Sequence, residues 1–144
     1  GFCRRSEKRT MSETRGREDA STCFVCGPQN PIGLRLTFRL QDDLCLSEFT
    51  ATHHHCGYDG VTHGGIIFCV LDDVMANWLF LKGIRGYTAK CDVRFKHPLP
   101  TECKILLEGR CLKQRSKLVV MAGTAARADN GLVVAESEAS FMIE

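Results

Sequence analysis

The stretch HGGIIFCVLDDVMANWLFL, residues 63–81, decides how the rest of this chain is read. At 100° per residue its apolar side chains cover nearly the whole circumference, which predicts a helix enclosed by protein on most sides. Asp72, Asp73 and Asn77 are the interruptions. A carboxylate in apolar surroundings costs several kcal/mol unless it is paired, hydrogen-bonded or open to a wet cleft, so two of them in one core helix point to chemistry. Consecutive helical residues point about 100° apart, so the two acids have different roles. Asp72 shares a face with Phe68 and Ala76 and is the functional candidate. Asp73 shares a polar stripe with Asn77, expected to face water or a subunit contact, and the pair is counted with the substrate-binding candidates.

Gly64 and Gly65 occupy the first turn of this helix, where backbone N–H groups lack intrahelical partners and the dipole is positive. Such an end can hold a negative oxygen. The structural alternative is that the glycines only let a turn pass close to a neighbouring strand.

Outward from the helix the chain reads as strands. Residues 34–40, LRLTFRL, alternate cleanly, and residues 44–51 follow as a second strand. Residues 86–100 alternate again, with Ala89, Cys91, Val93 and Phe95 on one side and Thr88, Lys90, Asp92, Arg94 and Lys96 on the other, until Pro98 and Pro100 end the strand. Residues 104–112 and 117–127 make two more, joined by a polar segment at 113–116, and Asp129-Asn130-Gly131 turns the chain into a final strand. Two strands, one apolar helix and four strands predict an α+β fold, an antiparallel sheet curled round a single helix. Residues 1–22 hold Phe2 and Met11 as their only large apolar side chains and are expected to be a flexible tail, with one domain over 23–144.

Composition narrows the function classes. The formal charge of +2 lies within residues 1–22, and the remainder is balanced, so nothing argues for a nucleic-acid partner. Nine cysteines, an odd number spread through strand-like and helical segments, suit a reduced, cytoplasmic chain better than a disulfide scaffold. No signal peptide is read in it, and the longest apolar run, residues 66–71, falls far short of the roughly 20 a membrane span needs. Cys23-x-x-Cys26 is half of a zinc site, which His53, His54, His55 or Cys56 would have to complete, and the expectation is that no metal is bound. Lys90, Arg94 and Lys96, with Arg110, Lys113, Arg115 and Lys117 further on, form either a solvated sheet face or a surface for anionic phosphates.

The motif HGGIIFCVLDD, preceded by GYDGVT and followed by a strand ending in FKHPLP, resembles the hotdog-fold thioesterases, specifically the phenylacetic-acid-pathway-like acyl-CoA thioesterase group. CFVCGPQNPIGLRLTF is similar to the lead-in of one branch of that group, so the resemblance covers residues 23–144. It implies a curved sheet round one long helix and hydrolysis of an acyl-CoA thioester without metal or bound cofactor, coenzyme A being part of the substrate; the spacing of about 12 Å between Gly64 and Asp72 along the helix predicts a homodimer or a dimer of dimers (a homotetramer). It implies further that Gly64, with Gly65, polarises the thioester carbonyl and that Asp72 is general base or nucleophile. On the same resemblance Thr88 orients water and His63 has a structural or orienting role; Lys90, Arg94 and Lys96, read from their strand spacing, are counted with the substrate-binding candidates. Gly57 stands where some relatives carry an Asn six residues before the histidine, and strand parity sets Thr88 on the polar face, away from Asp72. A non-catalytic acyl-CoA-binding or sensing module on the same fold is the alternative.

Overall fold

The computed structural model describes residues 12–13 and 19–144. Its strands are β1 (Ser12–Glu13), β2 (Arg39–Gln41), β3 (Leu44–Thr50), β4 (Gly86–Phe95), β5 (Lys104–Arg115), β6 (Leu118–Arg127) and β7 (Val133–Ile143), and its helix is α1 (Gly64–Leu81). They form one antiparallel sheet in the order β1-β2-β3-β5-β6-β7-β4. The helix packs against every strand from β2 to β7, which is the hotdog architecture.

Ile67, Val70, Leu71, Val74, Met75, Trp78 and Leu79 of α1 are buried, and they meet Phe38, Ile105, Leu107, Val119, Met121 and Phe141 from the sheet. Two glycines set how close the helix comes. Gly109 and Gly123 are cross-strand partners on β5 and β6. A Cβ on Gly109 would lie 2.6 Å from the Val74 carbonyl oxygen, and one on Gly123 would lie 2.5 Å from Ser137 Oγ and 3.3 Å from Met75 Cγ. The helix therefore rests almost directly on the sheet backbone, a packing that any side chain at these positions would push apart. By length and composition α1 would pass for a membrane span, with mean hydropathy 1.6, but its apolar side is covered by this sheet.

The elements differ from the sequence reading in three places. Residues 34–38 keep their alternation, with Leu36 and Phe38 buried, but are not sheet strand. Leu34 and Leu36 donate instead to the carbonyls of Phe24 and Val25, and Arg35 at φ 56° breaks the extended run. The polar segment expected at 113–116 is largely strand, since β5 runs to Arg115 and the turn comes at Ser116, φ 55°. Its side chains are exposed, so no hydrophobic alternation betrays it. Residues 20–22, assigned to the tail, belong to the ordered loop: the carbonyls of Ala20, Ser21 and Thr22 accept hydrogen bonds from Cys23, Gln29 and Asn30. The rest of the expected tail, apart from Ser12–Glu13 and Asp19, lies outside the described residues.

Candidate active site

The site is laid out along α1, beginning at its N-terminus. His63 is the N-cap, extended at φ −63° and ψ 135°, and its Nδ1 accepts the Gly65 N–H at 2.8 Å. This satisfies one of the donors a helix start leaves unpaired. A Cβ on Gly65 would sit 3.0 Å from that same Nδ1, so the cap needs a residue without a side chain. Gly65, expected beside Gly64 as a donor to substrate, thus has its N–H occupied by His63. The Gly64 N–H has no acceptor among the described residues. Gly64 is exposed and lines a cavity of about 290 Å³ with Thr62, Phe95, Lys96 and His97. Gly57 lies alongside, its missing Cβ 3.6 Å from His63 Cα.

Two turns further along, Asp72 accepts a hydrogen bond from Thr88 Oγ1 at 2.8 Å. Alternation had placed Thr88 on the opposite side of β4, and a β-bulge reverses it. Thr88 pairs with the buried Phe141, but the next paired residue is Lys90, opposite Ser140, so Ala89 is extra and the parity of the strand changes there. Thr88 consequently faces the helix, and so does Cys91, opposite the buried Ala139. Burial pushes the Asp72 carboxyl above the usual carboxylate range, against the Thr88 hydrogen bond, which pulls it down. No cation pairs with Asp72 among the described residues. Its side of the helix is the less covered one: Phe68 and Phe80 are partly exposed, and Phe80 and Ala76 line a cavity of about 430 Å³ with Ile84 and Tyr87. Along this stripe the helix is less enclosed than expected, Phe68 and Phe80 both being partly exposed.

Asn77 does not face water, and Asp73 is half-buried. Asn77 is fully buried, and its Nδ2 donates to the Asp73 backbone oxygen at 2.9 Å and to Asp73 Oδ2 at 3.1 Å. The Asp73 carboxylate lies with the thiols of Cys23 and Cys26, all within 4.8 Å of one another. A sequence shows the polar stripe but not the loop that folds over it, which sets this pair, expected among the substrate-binding residues, beneath Cys23 and Cys26. The histidines proposed to complete the Cys23/Cys26 pair are elsewhere: His53–His55 form a short 3-10 helix capped by Thr52, with His55 Nδ1 taken by the Thr52 N–H at 2.9 Å. Among the described residues eight cysteines are free thiols.

The basic residues separate. Lys90 and Arg94 are exposed on β4, Lys90 3.9 Å from Asp92 and Arg94 opposite Glu136. Lys96 lies beyond the strand end, 3.5 Å from Glu136, and it alone of the three lines the cavity beside Gly64. Trp78 and Met75 are core, with Trp78 Nε1 donating to the Asp43 carbonyl at 2.9 Å.

Residues 59–135 match the family model described as the thioesterase superfamily, and the chain belongs to that superfamily. The human acyl-coenzyme A thioesterase THEM5 is 26% identical over 86 residues, 60% of this chain and 35% of that protein, so the chain spans about a third of this curated relative's length. A crystal structure of a thioesterase superfamily protein superposes with a TM-score of 0.76 at 28% identity, covering 82% of this chain and 58% of that one. The Escherichia coli PaaI protein of the phenylacetic acid degradation operon gives a TM-score of 0.71 at 15% identity, over 77% of this chain and 80% of its own. A hypothetical thioesterase protein of Streptococcus pneumoniae TIGR4, solved with coenzyme A, gives 0.67 at 18%, over 71% and 82%. The last two likenesses concern the fold.

Proposed function

We propose that the chain hydrolyses an acyl-CoA thioester to a carboxylic acid and free CoA, at a site formed by two copies of itself. The observation that carries the reading is the Asp72–Thr88 pair, a half-buried carboxylate held by a hydroxyl at 2.8 Å on the open side of the helix, without a neutralising cation among the described residues. A carboxylate kept short of solvation is a stronger base, suited to taking a proton from water. The water oxygen bonds to the thioester carbon, a backbone N–H stabilises the developing oxyanion, the C–S bond breaks, and the proton leaves on the CoA sulfur. Attack by Asp72 itself, giving an anhydride that water then cleaves, is the covalent form of the same assignment.

The similarity to THEM5 supports the substrate class, as does the coenzyme A in the pneumococcal structure. Two variant structures of that pneumococcal protein replace an aspartate and a threonine, sixteen residues apart, by alanine, and Asp72 and Thr88 have the same separation.

Two chains are required by distance. Gly64 and Asp72 are eight residues apart on one helix, about 12 Å at 1.5 Å per residue, so one carbonyl cannot touch both. Antiparallel helices across a two-fold axis would bring the Gly64 N–H of one protomer to Asp72 of its partner and would also cover the open stripe of Phe68, Ala76 and Phe80. The test mixes two inactive variants, Asp72→Asn and Gly64→Pro. Proline is tolerated at a first helical position, and the His63 backbone already has the extended geometry it demands. Random exchange makes half the dimers mixed, each with one intact site, so activity should return to about a quarter of wild type. If exchange is verified and none returns, the shared site is wrong. An Asp72→Asn variant that binds acyl-CoA as wild type does, while the wild type shows no turnover on short, long or aromatic acyl-CoAs, would favour the non-catalytic acyl-CoA-binding module.

A further inference from the structure

We propose that Cys23, Cys26 and Asp73 form a structural zinc site that fastens the loop before β2 to the middle of α1. Their three ligand atoms lie within 4.8 Å of one another, Cys26 buried and the other two half-buried. A tetrahedral zinc with Zn–S bonds of ~2.3 Å holds its sulfurs about 3.8 Å apart, so the cluster needs only a small contraction. The loop is shaped for it. The Cys26 N–H donates to Cys23 Sγ at 3.4 Å, and Gly27 follows at a place where a Cβ would lie 2.3 Å from the Cys23 nitrogen.

The carboxylate of the cluster is held from the helix itself. Asn77 is completely buried, its amide already touches the cluster through Asp73 Oδ2, and its Oδ1 has no hydrogen-bond partner. A buried amide oxygen left unmet costs about 1–3 kcal/mol. The Asn77 Nδ2 holds Asp73 Oδ2 in place at 3.1 Å, and the fourth zinc position is left to a water oxygen. Two thiolates with two oxygens suit zinc, a borderline-soft ion without a geometric demand of its own. The proposal stands independently of the thioesterase reading, and its consequence for the fold is that metal holds the residue next to Asp72.

The experiment uses the full chain, purified reduced, equilibrated with zinc sulfate and desalted, with metal measured by mass spectrometry. About one equivalent per chain is expected. Cys23→Ser and Asp73→Asn should each retain less than a fifth of that, and Cys69→Ser, on the same helix but outside the ligand set, should retain all of it. Cobalt in place of zinc should give the intense visible bands of a tetrahedral ion and a thiolate charge-transfer band, both absent from Cys23→Ser. Should the variants fold poorly, the wild type still decides: a chelator should lower its melting temperature by several degrees, and added zinc should restore it. Wild type that holds no zinc, equal metal content in wild type and Cys23→Ser, or a Cys23–Cys26 disulfide in the reduced preparation would each overturn the site.

Discussion

Asp72 and Asp73 are adjacent on one helix, and the fold treats them in opposite ways. Asp72 looks out along the partly exposed stripe of Phe68, Ala76 and Phe80, and its hydroxyl partner comes from the far edge of the sheet. Asp73 looks inward, held by the buried Asn77 and roofed by the Cys23/Cys26 loop. The open side has room for a reaction and the covered side has only partners. Burial alone does not mark a functional acid; what surrounds the carboxylate and whether substrate can reach it do.

The sharpest way to break this contrast is to neutralise each acid in turn. Asp72→Asn should lower kcat for acyl-CoA hydrolysis on the order of 10²-fold or more. Asp73→Asn should lose less than about tenfold and lower the melting temperature instead. Reversed kcat values would exchange the two roles. The same pair bears on stability. A carboxyl whose folded-state pKa is raised contributes stability below its unfolded pKa, and that contribution is lost as pH rises through the folded value. Raising the pH should therefore weaken the fold through Asp72, and Asp72→Asn should melt above wild type by a margin that grows with pH. A lower melting temperature would mean that the charge is compensated.

A second contrast lies between the packed and open sides at glycine. Gly109→Ala drives a Cβ toward the Val74 carbonyl and should cost about 1–3 kcal/mol, seen as a melting temperature several degrees lower. Gly64→Ala meets only the Phe95 ring at 3.6 Å and should shift melting by less than about 2 °C. Equal losses would show that the open side is packed too.

A last expectation sharpens the Asp72 assignment. Thr88→Val removes the hydrogen bond that favours the ionised carboxyl, so kcat should fall about tenfold and the acid limb of its pH profile should move to higher pH. An unmoved limb would leave Thr88 a packing residue.

Much of this was legible in the residues. The apolar coat of 64–81 marked a core helix, alternation marked the later strands, and the glycines and acids at fixed spacing marked the line along which the candidate site is strung. These features are local, set by helical period, strand period and the unpaired amides of a helix start. The Thr88 contact was hidden because one extra residue, Ala89, changes which side of a strand faces inward, and a bulge leaves no composition signal. The place of Asp73 was hidden because it depends on a loop some fifty residues earlier in the chain, and periodicity is blind to such a contact. Gly109 and Gly123 read as ordinary strand residues until the helix is laid on them. The sequence by itself determined the elements and the apolar faces they must bury, because those follow from short-range geometry. Only the tertiary structure decided which acid is open, which hydroxyl reaches it and which N–H is left free, because those depend on contacts between residues far apart in the chain.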